Sequence, residues 1–271
     1  MVLDSKNSDT IVSRFAKTEA SRIIQFGDIS SVSKTRILDP IDSIEDIEHP
    51  LVSDLVEVIL HWSHENFGID EFIEAKKQFF DSFGRVFPDE DFYNQRISYF
   101  LDFFTFQRKI KKGQTSEEET PFEQFIKSKF VNKIKKDQLV ESFKQLDDYR
   151  HSLFYVSKVS SNKLTLKDLF TKEKIEIGQH YHLFFEGFVP KSIIQGFIFN
   201  TKTIPYISQG VLTHPPNVTR IIRKIIKKLK PGESSQEYSL FTKLAKINLD
   251  IYKMRTQDSK KLYSQLFSAQ F

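Results

Sequence analysis

The densest chemistry in the sequence is a run of cations. The stretch His214–Gly232, HPPNVTRIIRKIIKKLKPG, carries Arg220, Arg223, Lys224, Lys227, Lys228 and Lys230, and no acidic residue falls among them. Guanidinium and ammonium groups at this density recognise phosphates or carboxylates, so the chemistry on offer is contact with a negatively charged partner. Other candidates are sparser. His61 and His64 lie three apart with Glu65 next to them. On a helix both rings could reach one metal, but the order matches neither H-E-x-x-H nor H-x-x-E-H. His180 and His182 alternate and would share one face of a strand. A catalytic zinc site needs a third protein ligand, for which only Asp168 or Glu186 stands out nearby. Asp89, Glu90 and Asp91 could be read as a magnesium cluster, although acids at a helix start are already favoured by the helix dipole. Surface, boundary and dipole roles are the expectation for these groups. No catalytic residue, metal or cofactor is assigned.

The elements that must hold the cation row follow from its apolar neighbours. Val218, Ile221, Ile222, Ile225, Ile226 and Leu229 recur at steps of three and one, the spacing of one helix face. Asn217 after two prolines predicts an N-cap, and Pro231-Gly232 a stop, so a half-buried helix is expected over 217–230. Lys243, Lys246, Lys253, Arg255, Lys260 and Lys261 extend the positive character along a further helix expected at roughly 236–266.

The chain has 271 residues, with 39% hydrophobic and 28% charged residues, as in folded proteins. Its 27 phenylalanines supply ample aromatic area for a core. Phe103, Phe104 and Phe106 precede Arg108 and Lys109, an arrangement open to base stacking, but phenylalanine at helical spacing is expected to be core. Cysteine is absent, which excludes disulfides, thiolate metal sites and thiol catalysis. Glycine-rich phosphate loops, the G-x-S-x-G element and the dinucleotide-binding fingerprint are absent too. The N-terminal residues do not resemble a signal peptide and no stretch approaches the ~20 apolar residues of a membrane span, so a cytoplasmic location is expected. Charge is segregated. Residues 1–150 hold 21 Lys and Arg against 28 Asp and Glu, whereas residues 151–271 hold 19 against 8. The basic half is therefore expected to meet either the acidic half or an external anion.

An α+β fold is predicted. Residues 1–42 read as a polar N-terminal arm, and 43–150 as a helical region. Within it, Leu51, Leu55, Val58, Ile59 and Trp62 share a face, Gly68 is a stop, and Phe72, Ile73, Phe79, Phe80 and Phe83 are core. The segment KKGQTSEEETP reads as a polar loop, followed by a capping box from Thr120 to Glu123. Residues 151–213 read as a small β module of five or six short strands forming a curled sheet or barrel, and 214–271 as a basic C-terminal helical region.

Two stretches resemble a family of uncharacterised bacterial proteins, sometimes found with SEC-C metal-binding tails. Its helical region carries Phe-x-Asp/Glu-Trp-Phe-x-Phe-Asp, and its β module a Leu-x-Leu-x-Asp-Leu-x-Thr-Gly-Glu hairpin. Here the first is Phe100-Leu101-Asp102-Phe103-Phe104-Thr105-Phe106-Gln107, with Phe103 for the Trp and Gln107 for the Asp. The second is Leu164-Thr165-Leu166-Lys167-Asp168-Leu169-Phe170-Thr171-Lys172-Glu173, with Lys172 for the turn Gly. The resemblance covers roughly residues 95–200 and implies the helical-plus-β layout but no activity.

The functional expectation is a non-enzymatic interaction protein whose basic C-terminal surface meets an acidic protein surface, on another protein or on a second copy of itself as a homo-oligomer. Sequence-independent nucleic-acid binding is the alternative, followed by an unrecognised enzyme or attachment to an anionic membrane surface.

Overall fold

The computed structural model describes residues 44, 50–111, 117–178, 185, 187–202, 205–229, 234–254 and 258–268. The arm at 1–42, His180, His182, Glu186, Lys230, Arg255 and Pro231-Gly232 lie outside them.

Helix α1 spans Val52–Phe83 and is broken at Gly68, whose φ of 79° no helix accommodates. The glycine thus ends one helical run and starts another, as its type predicts. The first run buries Leu55, Val58, Ile59 and Trp62, and the second buries Phe79, Phe80 and Phe83. Ile73, expected in the core, is 56% exposed. Its helical turn points outward between the buried Ala75 and the half-buried Phe72. Helix α2, Tyr93–Phe106, lies against α1 through Phe79, Phe83, Tyr99, Phe100 and Phe103. The polar loop expected after α2 is flanked by a two-residue ladder, β1 (Ile110–Lys111) with β2 (Glu118–Glu119). Helix α3, Pro121–Ile126, opens with the predicted capping box. Thr120 Oγ1 accepts from Glu123 N at 3.1 Å, and the Glu123 carboxylate accepts from Thr120 N at 2.6 Å. Helix α4 covers Asp137–Gln145.

The sheet contains β3 (Tyr149–Val159), β4 (Lys163–Asp168), β5 (Lys174–Gly178), β6 (Ile193–Phe199), β7 (Tyr206–Ile207) and β8 (Leu212–His214). It runs β5-β4-β3-β6-β7, all pairs antiparallel, with β8 also on β6, and it curls until nearly closed. The fold is α+β. Alternation along β3 and β6 sends Leu153, Ile193 and Phe197 to the helices, and Phe154, Val156, Ile194 and Ile198 into a second core inside the curl. Residues of α1, α2 and the C-terminal helices share the first core with the sheet, so helical and β parts are packed together. Three helices follow: α5 (Thr219–Ile226), α6 (Ser234–Met254) and α7 (Ser259–Ser268).

Gly210 fixes how close α2 comes to the sheet. A Cβ at this position would sit 2.4 Å from Tyr99 N and 2.5 Å from its Cα. Only a bare backbone lets the β7–β8 loop touch the α2 backbone. Gln95 Nε2 donates to Val211 O at 2.5 Å, and Ser208 Oγ donates to the Asp102 carboxylate, binding the same two elements together.

Candidate anionic-partner surface

The cation row does sit on a helix, but a shorter one than the sequence predicts. A 3-10 turn at Pro216–Val218 leads into α5, which ends at Ile226. Asn217 does not cap it. Its side chain is exchanged with Ser259 at the start of α7, Nδ2 to Oγ at 3.0 Å, and the N-cap residue is Val218. The oxygen that would cap, Oδ1, instead accepts from Ser259 Oγ at 3.2 Å, 42 residues away, and Asn217 lies within the 3-10 turn. Thr219 Oγ1 donates to Lys191 O at 2.6 Å and ties the helix start to the β5–β6 connection.

Val218, Ile222, Ile225 and Ile226 are buried, and Ile221 and Leu229 are partly so. Each fully buried aliphatic side chain contributes about 1.5–3 kcal/mol. Like-charge pairs at i,i+4, such as Arg220–Lys224 and Arg223–Lys227, oppose the helix by about 0.2–0.5 kcal/mol each. Burial wins by a wide margin, so the core can hold the row in place despite its self-repulsion. Arg220, Arg223, Lys224, Lys227 and Lys228 are exposed. Among the described residues, no carboxylate pairs with Arg220, Arg223, Lys224 or Lys227. The acidic half is met elsewhere: Lys202 pairs with Glu141 at 2.8 Å and Lys253 with Glu90 at 3.1 Å.

The row does not stand alone. The Arg223 guanidinium lies 5.2 Å from the centre of the Tyr155 ring, a cation–π contact that fixes its position. Tyr155 is opposite Lys167 on β4, which is opposite Lys174 on β5, so all three project from the helix-side face of the sheet. Lys172, in the β4–β5 turn, has φ 68°. This is the position at which the resembled hairpin carries glycine. Its ammonium donates to Leu169 O. Partial desolvation lowers its pKa, and repulsion from Arg223, Lys167 and Lys227 adds to that, while Asp168 opposes it. Sequence reading missed Lys167 and Lys172 as partners of α5: the strand alternation in KLTLKD fixes the face of Lys167, but Lys172 lies in the turn between the strands, outside any alternation.

Among the described residues the metal candidates do not assemble. His61 Nδ1 is 3.7 Å from Glu65, an ordinary i,i+4 contact. Burial, then the neighbouring His61, lowers the pKa of His64. Glu90 accepts from Phe87 N at 2.7 Å and pairs with Lys253, whereas Asp89 and Asp91 are exposed. Among the described residues no group of three His, Asp or Glu could hold a metal ion. Asp168 is buried and accepts from Phe170 N and Thr171 N, capping its own turn. Phe104 and Phe106 are buried and Phe103 is partly buried against the same core, so the three are core residues and not a stacking platform.

A buried polar chain runs beneath this surface, between α2, the sheet and the last two helices. Gln195 Nε2 donates to Phe241 O at 3.1 Å and to Tyr99 Oη at 2.8 Å. The Phe241 carbonyl can only accept, so the amide oxygen faces His214 Nε2 at 3.3 Å, and that nitrogen carries the proton. His214 Nδ1 then accepts from Tyr263 Oη at 2.6 Å, and Tyr99 donates to His151 Nε2 at 2.6 Å. Every donor points the same way, from Tyr263 through His214, Gln195 and Tyr99 to His151. Burial drives both histidine pKa values down to about 3, with the Arg96 charge assisting at His214, so both rings are neutral near pH 7. Burial also raises the phenol pKa of Tyr99 and Tyr263. Arg96 itself is 1% exposed and donates to Phe83 O, Ala245 O and Asn248 Oδ1 at 3.3, 2.9 and 2.9 Å. Desolvation lowers its pKa to about 10. The chain is satisfied internally and works as a polar lock between helices and sheet.

Among the described residues no helix is long and apolar enough to cross a membrane. Compared with known proteins, the chain matches no family model, no curated protein and no solved structure.

Proposed function

We propose that this chain is a non-enzymatic interaction protein that docks the cation row of α5 onto an acidic protein surface. The observation that carries this is the asymmetry of α5: its aliphatic side is taken up by the core, while Arg220, Arg223, Lys224 and Lys227 have no carboxylate partner among the described residues. A row held in register by burial presents its charge without reorganising, which favours orientation and on-rate in association with an opposite surface. The membrane alternative is weakened by the same fact, since the apolar stripe that would enter a bilayer is already buried.

Sequence-independent nucleic-acid binding is the second reading. It is favoured by the continuation of positive charge from α5 onto Lys167 and Lys172 of the β4–β5 hairpin.

The test is fluorescence polarisation with polyglutamate and with a duplex DNA at low and high salt, on the native chain and an Arg223→Glu/Lys227→Glu variant. Salt-sensitive binding of polyglutamate that the variant loses supports docking on acidic protein. Binding of DNA alone transfers support to the second reading. Absence of both at low salt defeats the proposal.

A further inference from the structure

The cations of α5 and of the β4–β5 hairpin are not spread evenly. Arg223 is fixed above Tyr155 with its guanidinium 5.2 Å from the ring centre. Tyr155 and Lys167 are direct cross-strand partners, so Lys167 emerges beside the ring that Arg223 covers. Lys172 is held in the turn immediately after β4 by its bond to Leu169 O, in a left-handed backbone conformation that a lysine adopts only at a cost. One turn beyond Arg223 on the same helix face is Lys227. None of these four has a carboxylate partner among the described residues. Of the acids around them, Glu237 on α6 has its pKa raised by burial and then by the Asp168 charge and pairs with none of the four, and the others are engaged elsewhere. Glu173 pairs with Arg150 at 2.5 Å, and Glu176 pairs with Lys163 and Lys174. Asp168 is buried under the turn, with its carboxylate on Phe170 N and Thr171 N.

We infer that Arg223, Lys172, Lys167 and Lys227 form a discrete oxyanion site, and that it takes the phosphate of a phosphorylated residue in an acidic protein segment docked along α5. This rests on the proposed docking of α5 on acidic protein and names what the partner carries. A carboxylate or a phosphodiester brings one negative charge to such a point. A phosphomonoester brings about −1.5 to −2 near neutral pH, with three acceptor oxygens. Four converging cations are matched better by the phosphomonoester. A guanidinium fixed on an aromatic ring is pre-organised for bidentate contact with phosphate oxygens. The repulsion from Arg223, Lys167 and Lys227, which adds to the desolvation that lowers the Lys172 pKa, is relieved when a dianion sits between the groups. Arg220 and Lys224, farther along the exposed row, remain for the carboxylates flanking the phosphorylated residue.

The experiment uses the full chain and one Asp/Glu-rich peptide in two forms, with a central serine either free or phosphorylated, read by fluorescence polarisation. Phosphorylation is expected to tighten binding tenfold or more. Arg223→Gln takes one cation from the docking row as well, so it is expected to weaken both peptides, the phosphorylated one much more, and thereby to remove the increment. Lys172→Gly suits the left-handed backbone and so keeps the turn, and it is expected to remove part of the increment. Equal binding of the two peptides overturns the phosphate site and leaves the docking proposal standing. Binding of neither peptide at low salt overturns both. An increment that survives Arg223→Gln and Lys172→Gly together overturns the assignment of these residues, and preference for an equally charged DNA oligonucleotide overturns the choice of a phosphorylated protein.

Discussion

Acid should unfold this protein through His214. The ring is fully buried, is held on both nitrogens, and has its pKa driven from 6.5 to about 3. In the unfolded chain it titrates near 6.5. Because the folded value is the lower one, the stability is whole above pH 6.5 and is lost progressively as pH falls from 6.5 towards 3. At pH 5 the unfolded state gains about 2 kcal/mol from protonating this one imidazole, at about 1.36 kcal/mol per pH unit. His151 adds to the loss, discounted because its ring is partly exposed. Against a total stability of about 5–15 kcal/mol, such a loss is readily measured. The assay is urea unfolding at pH 7 and pH 5, followed by the fluorescence of Trp62, the only tryptophan and a buried one. His214→Gln is expected to be less stable than the native chain at pH 7, by about 1–3 kcal/mol for the disturbed buried hydrogen bonds. Its further loss between pH 7 and pH 5 should be smaller than the native chain's by about 2 kcal/mol. Other titrating groups cancel in that difference. An equal loss in the two proteins would refute the neutral, locked His214 deduced from the Gln195 orientation.

Further outcomes follow from the packing and the charge row. Gly210→Ala should destabilise the fold by about 1–3 kcal/mol or more, seen as a fall in Tm, because the new methyl meets the α2 backbone at 2.4 Å. Lys172→Gly should raise stability by about 0.5–1 kcal/mol, since glycine accepts the φ of 68° without the side-chain clash. Lys224→Glu turns the Arg220 and Lys228 i,i+4 neighbours from repulsive to attractive, so Tm should rise slightly, by about 0.5–1 kcal/mol in stability, while salt-sensitive binding of polyglutamate falls.

Local signals were legible wherever both partners are near in the chain. Thr120 and Glu123 cap each other three residues apart, Gly68 interrupts α1, and the alternation in KLTLKD and KIEIG gives β4 and β5 residue for residue. The steps of three and one placed a helix under the cation row. What could not be read was decided at long range. Asn217 is diverted by Ser259, and the β1–β2 ladder is too short to carry an alternation. Arg96, Gln195 and His214 look in sequence like surface residues and are buried. Their partners lie 13 to 152, 19 to 96, and 19 to 49 residues away. The same distance hid the hairpin lysines from α5. Alternation defines the face of Lys167 alone, and only the curled, nearly closed sheet brings α5 over Tyr155.

The placement of Arg96 has a consequence for how the chain is made. Its guanidinium is accepted by Ala245 and Asn248, 149 and 152 positions downstream. A nascent polypeptide leaves the ribosome from its first residue onwards, so α1 and α2 emerge long before those acceptors exist. Until they arrive, Arg96 has only Phe83 O of its three acceptors, and the α6 side chains that complete the first core are missing. The early helices therefore cannot complete the burial of Arg96 until α6 has been synthesised.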